Sequence, residues 1–153
     1  MPLTIPFNAT GLNKPTLIVR RVAAQNISHA TSTKIMWDTV VNDSANGYSI
    51  STGLFTVGLT NSGIYFCTAR CSYSGENVRR HLLSVIVNST SFRLDDARGS
   101  ADDKGYAGGS TLLLLNAGDT VRVETYQENS TTSTKATASG GTNLEWSMFR
   151  LNT

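Results

Sequence analysis

The chain has 153 residues, 39% of them hydrophobic and 16% charged, with a formal net charge of +2. That length suits one domain with its own core, and no apolar run approaches the ~20 residues of a membrane-spanning helix. So small a net charge gives nucleic acid no electrostatic footprint; hydroxyls take the place of charge, Ser and Thr making up about a quarter of the chain.

The first residues, Met1-Pro2-Leu3-Thr4-Ile5-Pro6-Phe7, lack the basic n-region and the apolar h-region of a secretory signal. We therefore expect assembly in a cytoplasm. Leu3, Ile5 and Phe7 alternate around Pro6, so residues 1–14 read as an extended arm. Its expected role is anchoring, by strand addition to a neighbour. Residues 15–153 read as one domain.

Helical periodicity is absent, whereas strand signals recur between turn-forming clusters. Strands are expected over Thr16–Ala23 and Thr33–Val41, the second with Ile35 and Trp37 opposing Met36 and Asp38. Tyr48–Ile50 and Leu54–Val57 follow, flanking Thr52-Gly53. Ile64–Tyr73, Arg79–Val87 and a short Ser91–Leu94 come next. Asp95–Gly109 reads as a long loop. Thr111–Leu115 and Thr120–Gln127 form a hairpin about Asn116-Ala117-Gly118-Asp119. Glu128–Thr142 reads as a second loop, and Leu144–Leu151 closes the chain. Eight or more short strands at this spacing imply an all-β antiparallel sandwich or jelly roll.

Thr120–Gln127 alternates, Val121 and Val123 against Arg122 and Glu124, as a strand with one wet face should. Ile64-Tyr65-Phe66 and Leu112–Leu115 are apolar on both sides. A two-layer sandwich buries only one face of each strand, so the second needs a cover. A partner subunit supplies it most economically; a loop folded over an edge is the alternative.

Inventory argues against chemistry. Cys67 and Cys71, four residues apart on a strand, are too distant for a disulfide and read as buried, reduced thiols. His29 and His81 have no Cys or carboxylate at ligand spacing, so no metal is expected. Neither a Gly-x-Ser-x-Gly elbow nor a phosphate-cradling loop is present. Asp95-Asp96 and Asp102-Asp103 leave a calcium site open, against a solvated loop partly neutralised by Arg98 and Lys104. On a regular strand Arg79 and His81 share one face and Arg80 takes the other. The five Asn-x-Ser/Thr triplets follow from composition. No catalytic residue and no cofactor is expected.

Ser51-Thr52-Gly53-Leu54-Phe55-Thr56-Val57 with Ser62-Gly63-Ile64-Tyr65-Phe66 resembles the tGxFtvp…aGxYxf signature of globular C1q domains, which are tumour-necrosis-factor-like jelly rolls. Gly109–Val121 resembles the family's Gly-Asp hairpin, and Trp146-Ser147-Met148-Phe149 its closing strand, with Met148 in place of the usual Gly. Arg79–Asn88 resembles a strand common in bacterial and phage members. The resemblance spans roughly residues 15–151 and implies a C1q/TNF-like homotrimer. In it, Ile64, Phe66 and Thr68, with Leu113, would form the trimer interface. Tyr65, Cys67, Ala69 and Cys71 would face the subunit core.

With no collagen-like stem in the sequence, the resemblance points to a bacteriophage virion protein that is structural and non-enzymatic. Capsid decoration is the expectation, with the major capsid protein as partner. The alternative is a tail-tip module binding a host receptor or glycan through the two long loops. Neither nucleic acid nor membrane is an expected partner.

Overall fold

In the computed structural model, residues 16–75, 77–99, 105–141 and 143–151 are described. Thirteen strands occur among them: β1 (Thr16–Arg20), β2 (Asn26–Ile27), β3 (Thr33–Lys34), β4 (Thr39–Asp43), β5 (Tyr48–Ser49), β6 (Leu54–Thr56), β7 (Gly63–Ser72), β8 (Val78–Val87), β9 (Thr90–Arg98), β10 (Tyr106–Leu115), β11 (Thr120–Asn129), β12 (Lys135–Ala136) and β13 (Glu145–Arg150). They form two large antiparallel sheets and a two-stranded one, β12-β2. Sheet one runs β10-β7-β13-β1-β4; sheet two runs β5-β6-β11-β8-β9, with β3 added along β11.

The core lies between them and follows from period-two alternation. Val121 and Val123 on β11 are fully buried, as are Leu83 and Val85 on β8, while Arg122 and Glu124 turn outward. Trp37 and Trp146 meet at 6.4 Å, and Tyr48 packs edge-on against Trp146 at 6.0 Å. The Tyr48 hydroxyl donates to the Trp37 carbonyl at 3.0 Å, which satisfies its one polar atom inside an apolar cluster.

Thr33–Val41 is not the single strand expected. Ile35 N–H still bonds sheet two through Val123 O (2.9 Å), whereas Asp38 N–H bonds sheet one through Arg20 O (3.1 Å). The chain changes sheets between them. Ile35 and Trp37 stay buried across the crossing, so the alternation was right although the strand is broken.

The expected loop Asp95–Gly109 is also largely strand. β9 runs to Arg98 and β10 starts at Tyr106, leaving residues 100–104 outside the described part. Charge did not stop β9, because its polar side chains are paired at the sheet edge: Arg80 grips Asp96 with two bonds of 2.9 Å. Gly108 and Gly109 have a specific use here. Gly108 N–H donates to Asp95 Oδ2 at 3.0 Å, and a Cβ on Gly109 would stand 2.4 Å from Leu94 O. The two sheets are joined at this seam because residue 109 has no side chain.

In the second expected loop, β11 continues to Asn129 and Lys135–Ala136 pairs with β2. The Asn116–Asp119 turn is present, with Asp119 Oδ2 accepting from Asn116 N–H at 2.8 Å.

Candidate functional site

The register of sheet one lays its outward side chains in rows. Leu114 stands beside Ile64, and Leu112 beside Phe66, which is followed by Phe149 and Thr16. The next row holds Ser110, Thr68, Ser147 and Ile18; beyond it come Gly108, Arg70, Glu145 and Arg20. The face therefore grades from apolar, through hydroxyl, to charged. Leu114 is 74% exposed, Leu112 60%, Phe149 41% and Ile64 39%. Phe66 and Phe149 stack at 5.3 Å, forming a ridge in the apolar end. At the charged end, Arg20 Nε donates to Glu145 Oε2 at 2.8 Å and Arg70 lies 3.7 Å from Glu145 Oε1.

Ile64, Phe66 and Thr68 share this outer face, and Tyr65, Cys67, Ala69 and Cys71 are buried behind it. Leu113 does not belong with the first group. It pairs with Tyr65, and cross-strand partners point to one side of a sheet, so Leu113 enters the core, where it is 2% exposed. Leu112 and Leu114 take the outward positions that were assigned to it. A run of four leucines has no alternation to set its phase; pairing Leu113 against core-facing Tyr65 would have set it. Leu3, Ile5 and Phe7 lie outside the described residues.

At the opposite end the interior becomes polar. Thr125 Oγ1 sits 2.8 Å from both Tyr73 Oη and His81 Nε2, and Gln127, Asn129 and Thr137 are buried nearby. Gln127 Nε2 donates to the carbonyls of Ile27 and Ser133, each at 3.1 Å. Burial pushes the His81 pKa down to about 4. The expected sharing of one face by Arg79 and His81 fails because the β8–β11 register slips at Glu128/Asn129. That bulge turns Arg79 out and His81 in.

Cys67 and Cys71 are free and buried, and burial raises both thiols to about 12, which keeps them unreactive. Asp95 and Asp96 are occupied by Gly108 N–H and by Arg80, and Asp102 and Asp103 lie outside the described residues. Among the described residues no cluster of three or more His, Cys, Asp or Glu has metal-binding geometry. The apolar end of sheet one gathers five large side chains, Ile64, Phe66, Leu112, Leu114 and Phe149, on one outward face.

Known proteins place this geometry. The C1q domain family matches residues 19–141. The globular domain of a zebrafish complement 1qA protein superposes with a TM-score of 0.66 at 19% identity, over 91% of this chain and 98% of that one. Murine APRIL gives 0.63 at 15% identity, over 90% and 99%. Eiger TNF from S. frugiperda gives 0.63 at 13% identity, over 92% and 94%. Among curated proteins none matches the chain.

Proposed function

The chain belongs to the C1q domain family, and from that membership and its apolar sheet face we propose that it works as a homotrimeric structural module. The domain is non-enzymatic, as C1q/TNF domains are. The observation that carries the trimer is the outward row of Leu112, Leu114, Ile64, Phe66 and Phe149. Removing apolar surface from water is worth roughly 25 cal/mol per Å², and a second and third copy of the same face are a complementary cover. The grading from apolar to charged gives the contact a polarity, so copies align with like ends together. Light scattering tests this: a trimer mass is expected at micromolar concentration. A stable monomer there rejects the reading.

Within that reading, we propose a place on the surface of a phage particle. Its support is the resemblance of Arg79–Asn88 to bacterial and phage members, together with the lack of any heptad, collagen or β-helical repeat in this sequence from which a fibre shaft is built. None of the three relatives named above is a virion protein. Thr16, where β1 begins, pairs with Phe149 at the apolar end of the face. Leu3, Ile5 and Phe7, earlier in the sequence, would supply an anchor. Electron microscopy of particles with and without residues 1–14 tests both parts. Full decoration by the truncated protein removes the arm's role; no decoration by the intact protein removes the virion role.

A further inference from the structure

The outer face of sheet two holds a cavity of about 180 Å³ at its centre. Its origin is the register. Ser84 on β8 stands between Arg93 on β9 and Glu124 on β11, one row from Leu82 and Tyr126. A short side chain between long neighbours leaves a hollow, also lined by Leu82, Ser32 and Ser91.

The polar groups around it have capacity to spare. Glu124 accepts from Arg122 Nε at 2.8 Å and from Ser32 Oγ at 2.9 Å, which uses two of its roughly four lone-pair sites. Arg93 donates to Asp96 at 3.3 Å, leaving most of its N–H fork available. The hydroxyls of Ser84 and Ser91 have no partner among the described residues. Tyr126 donates its hydroxyl to Glu128, which fixes the ring at the wall. The walls are thus held by a surrounding layer of bonds before any ligand arrives, as precise sites require.

Arg93 and Glu124 carry opposite charges across the hollow, so neither an anion nor a cation is favoured over the other. What suits it is a neutral molecule with donors and acceptors on adjacent atoms and an apolar face for Tyr126. We infer that this hollow is a binding site for a neutral saccharide residue, vicinal hydroxyls bridging Glu124 and Arg93 while the ring lies against Tyr126. A small number of convergent polar groups around an aromatic wall is the general form of a small-ligand site, and planar charged groups recognise paired hydrogen-bonding atoms. The site lies on the sheet opposite the apolar face and stays open whether or not the chain self-associates.

Titration of the ¹⁵N-labelled protein with the methyl glycosides of glucose, galactose and mannose tests it, with cyclohexanol and phosphate as controls. At least one glycoside should shift the amides of Ser84, Ser91, Arg93, Glu124 and Tyr126 saturably, with a Kd on the order of millimolar. Ser84→Val fills the hollow with a strand-compatible side chain, and Tyr126→Ala removes the wall. Each should weaken binding at least about tenfold, with the circular dichroism unchanged, because each loses a contact worth roughly 1.4 kcal/mol. The inference is overturned by silence of all three glycosides up to about 50 mM, by equal shifts from cyclohexanol or phosphate, or by a response that survives Ser84→Val.

Discussion

On the outer face of sheet one, β7, β10 and β13 present Ile64, Phe66, Leu112, Leu114 and Phe149. On the outer face of sheet two, β8, β9 and β11 present Arg80, Asp96, Arg93, Ser84, Glu124, Arg122 and Tyr126 at equivalent outward positions. Both faces belong to strands that alternate around one core. On sheet two each charge finds its partner inside the same chain: Arg80 with Asp96, Arg122 with Glu124. Such a face is content in water. The apolar rows of sheet one have nothing to gain until something covers them. Under the proposed assembly the difference separates a face suited to solvent from one suited to another copy, and it is a difference of outward residues alone.

The largest way to break that distinction is to make face one resemble face two. Phe66→Asp should convert a trimer to a monomer, since an unpaired buried charge typically costs about 3–5 kcal/mol. The monomer should keep its β-sheet circular dichroism, because Phe66 points away from the core. Ser91→Asp, at an exposed position on β9 of the face-two side, should leave the mass unchanged. A Phe66→Asp protein that remains trimeric places the interface elsewhere.

Next in size is the interior, where the polar end beneath both faces centres on His81. Its folded pKa of about 4 lies below the ordinary 6.5, because burial penalises the charged ring. Between those values the unfolded chain binds a proton that the folded one refuses. Stability is thus fully present above about pH 6.5 and falls as pH drops toward 4, by up to about 3 kcal/mol. Urea unfolding across that range should show the slope in the native protein and a flatter profile in His81→Gln. Equal slopes would mean that His81 carries no such linkage.

Gly109→Ala probes the seam where the sheets meet. The added methyl would press on the Leu94 carbonyl, and backbone offers little room to move. A loss of roughly 1–3 kcal/mol is expected, read as a lower urea midpoint with the slope unchanged. Gly118→Ala is a poor control, because Gly118 has φ of 87°; Ser110→Ala, on the neighbouring outward position, is the fitting one. If both behave alike, the contact is slack.

These particulars also show what was legible beforehand. Alternation in Thr120–Gln127 and the two-sided apolarity of Ile64-Tyr65-Phe66 put their side chains on the correct sides, since period two is a local property. Strand number and spacing implied the sandwich, and the resemblance supplied the C1q type that the family match shows. What failed was non-local. Asp95–Gly109 read as a loop, whereas Arg80, on another strand, pairs with Asp96 and β9 runs on to Arg98. The phase of Leu112–Leu115 depended on Tyr65, and the inward turn of His81 on a bulge opposite Asn129. Nothing in the sequence marked the hollow over Ser84, because its walls come from β8, β9 and β11 together with Ser32, just before β3.

The smallest expected effect sharpens the comparison most finely, because it sets one ion pair against another. Glu145 on face one holds Arg20 and reaches Arg70; Glu124 on face two holds Arg122. Both are partly exposed in the single chain, where such pairs contribute about 0.2–1 kcal/mol, so urea unfolding of a monomeric background should barely separate Glu145→Gln from Arg122→Gln. In a trimer joined through face one they must differ. Glu145→Gln leaves two guanidinium groups per copy facing those of its neighbours, and the copies repel. Dissociation should therefore rise in low salt and be suppressed at high salt, where the Debye length shrinks to about 3 Å at 1 M. Arg122→Gln should leave assembly unaltered at every salt concentration. Sedimentation across an ionic-strength series reads both, and identical behaviour of the two variants would put the charged end of face one in solvent, outside the contact.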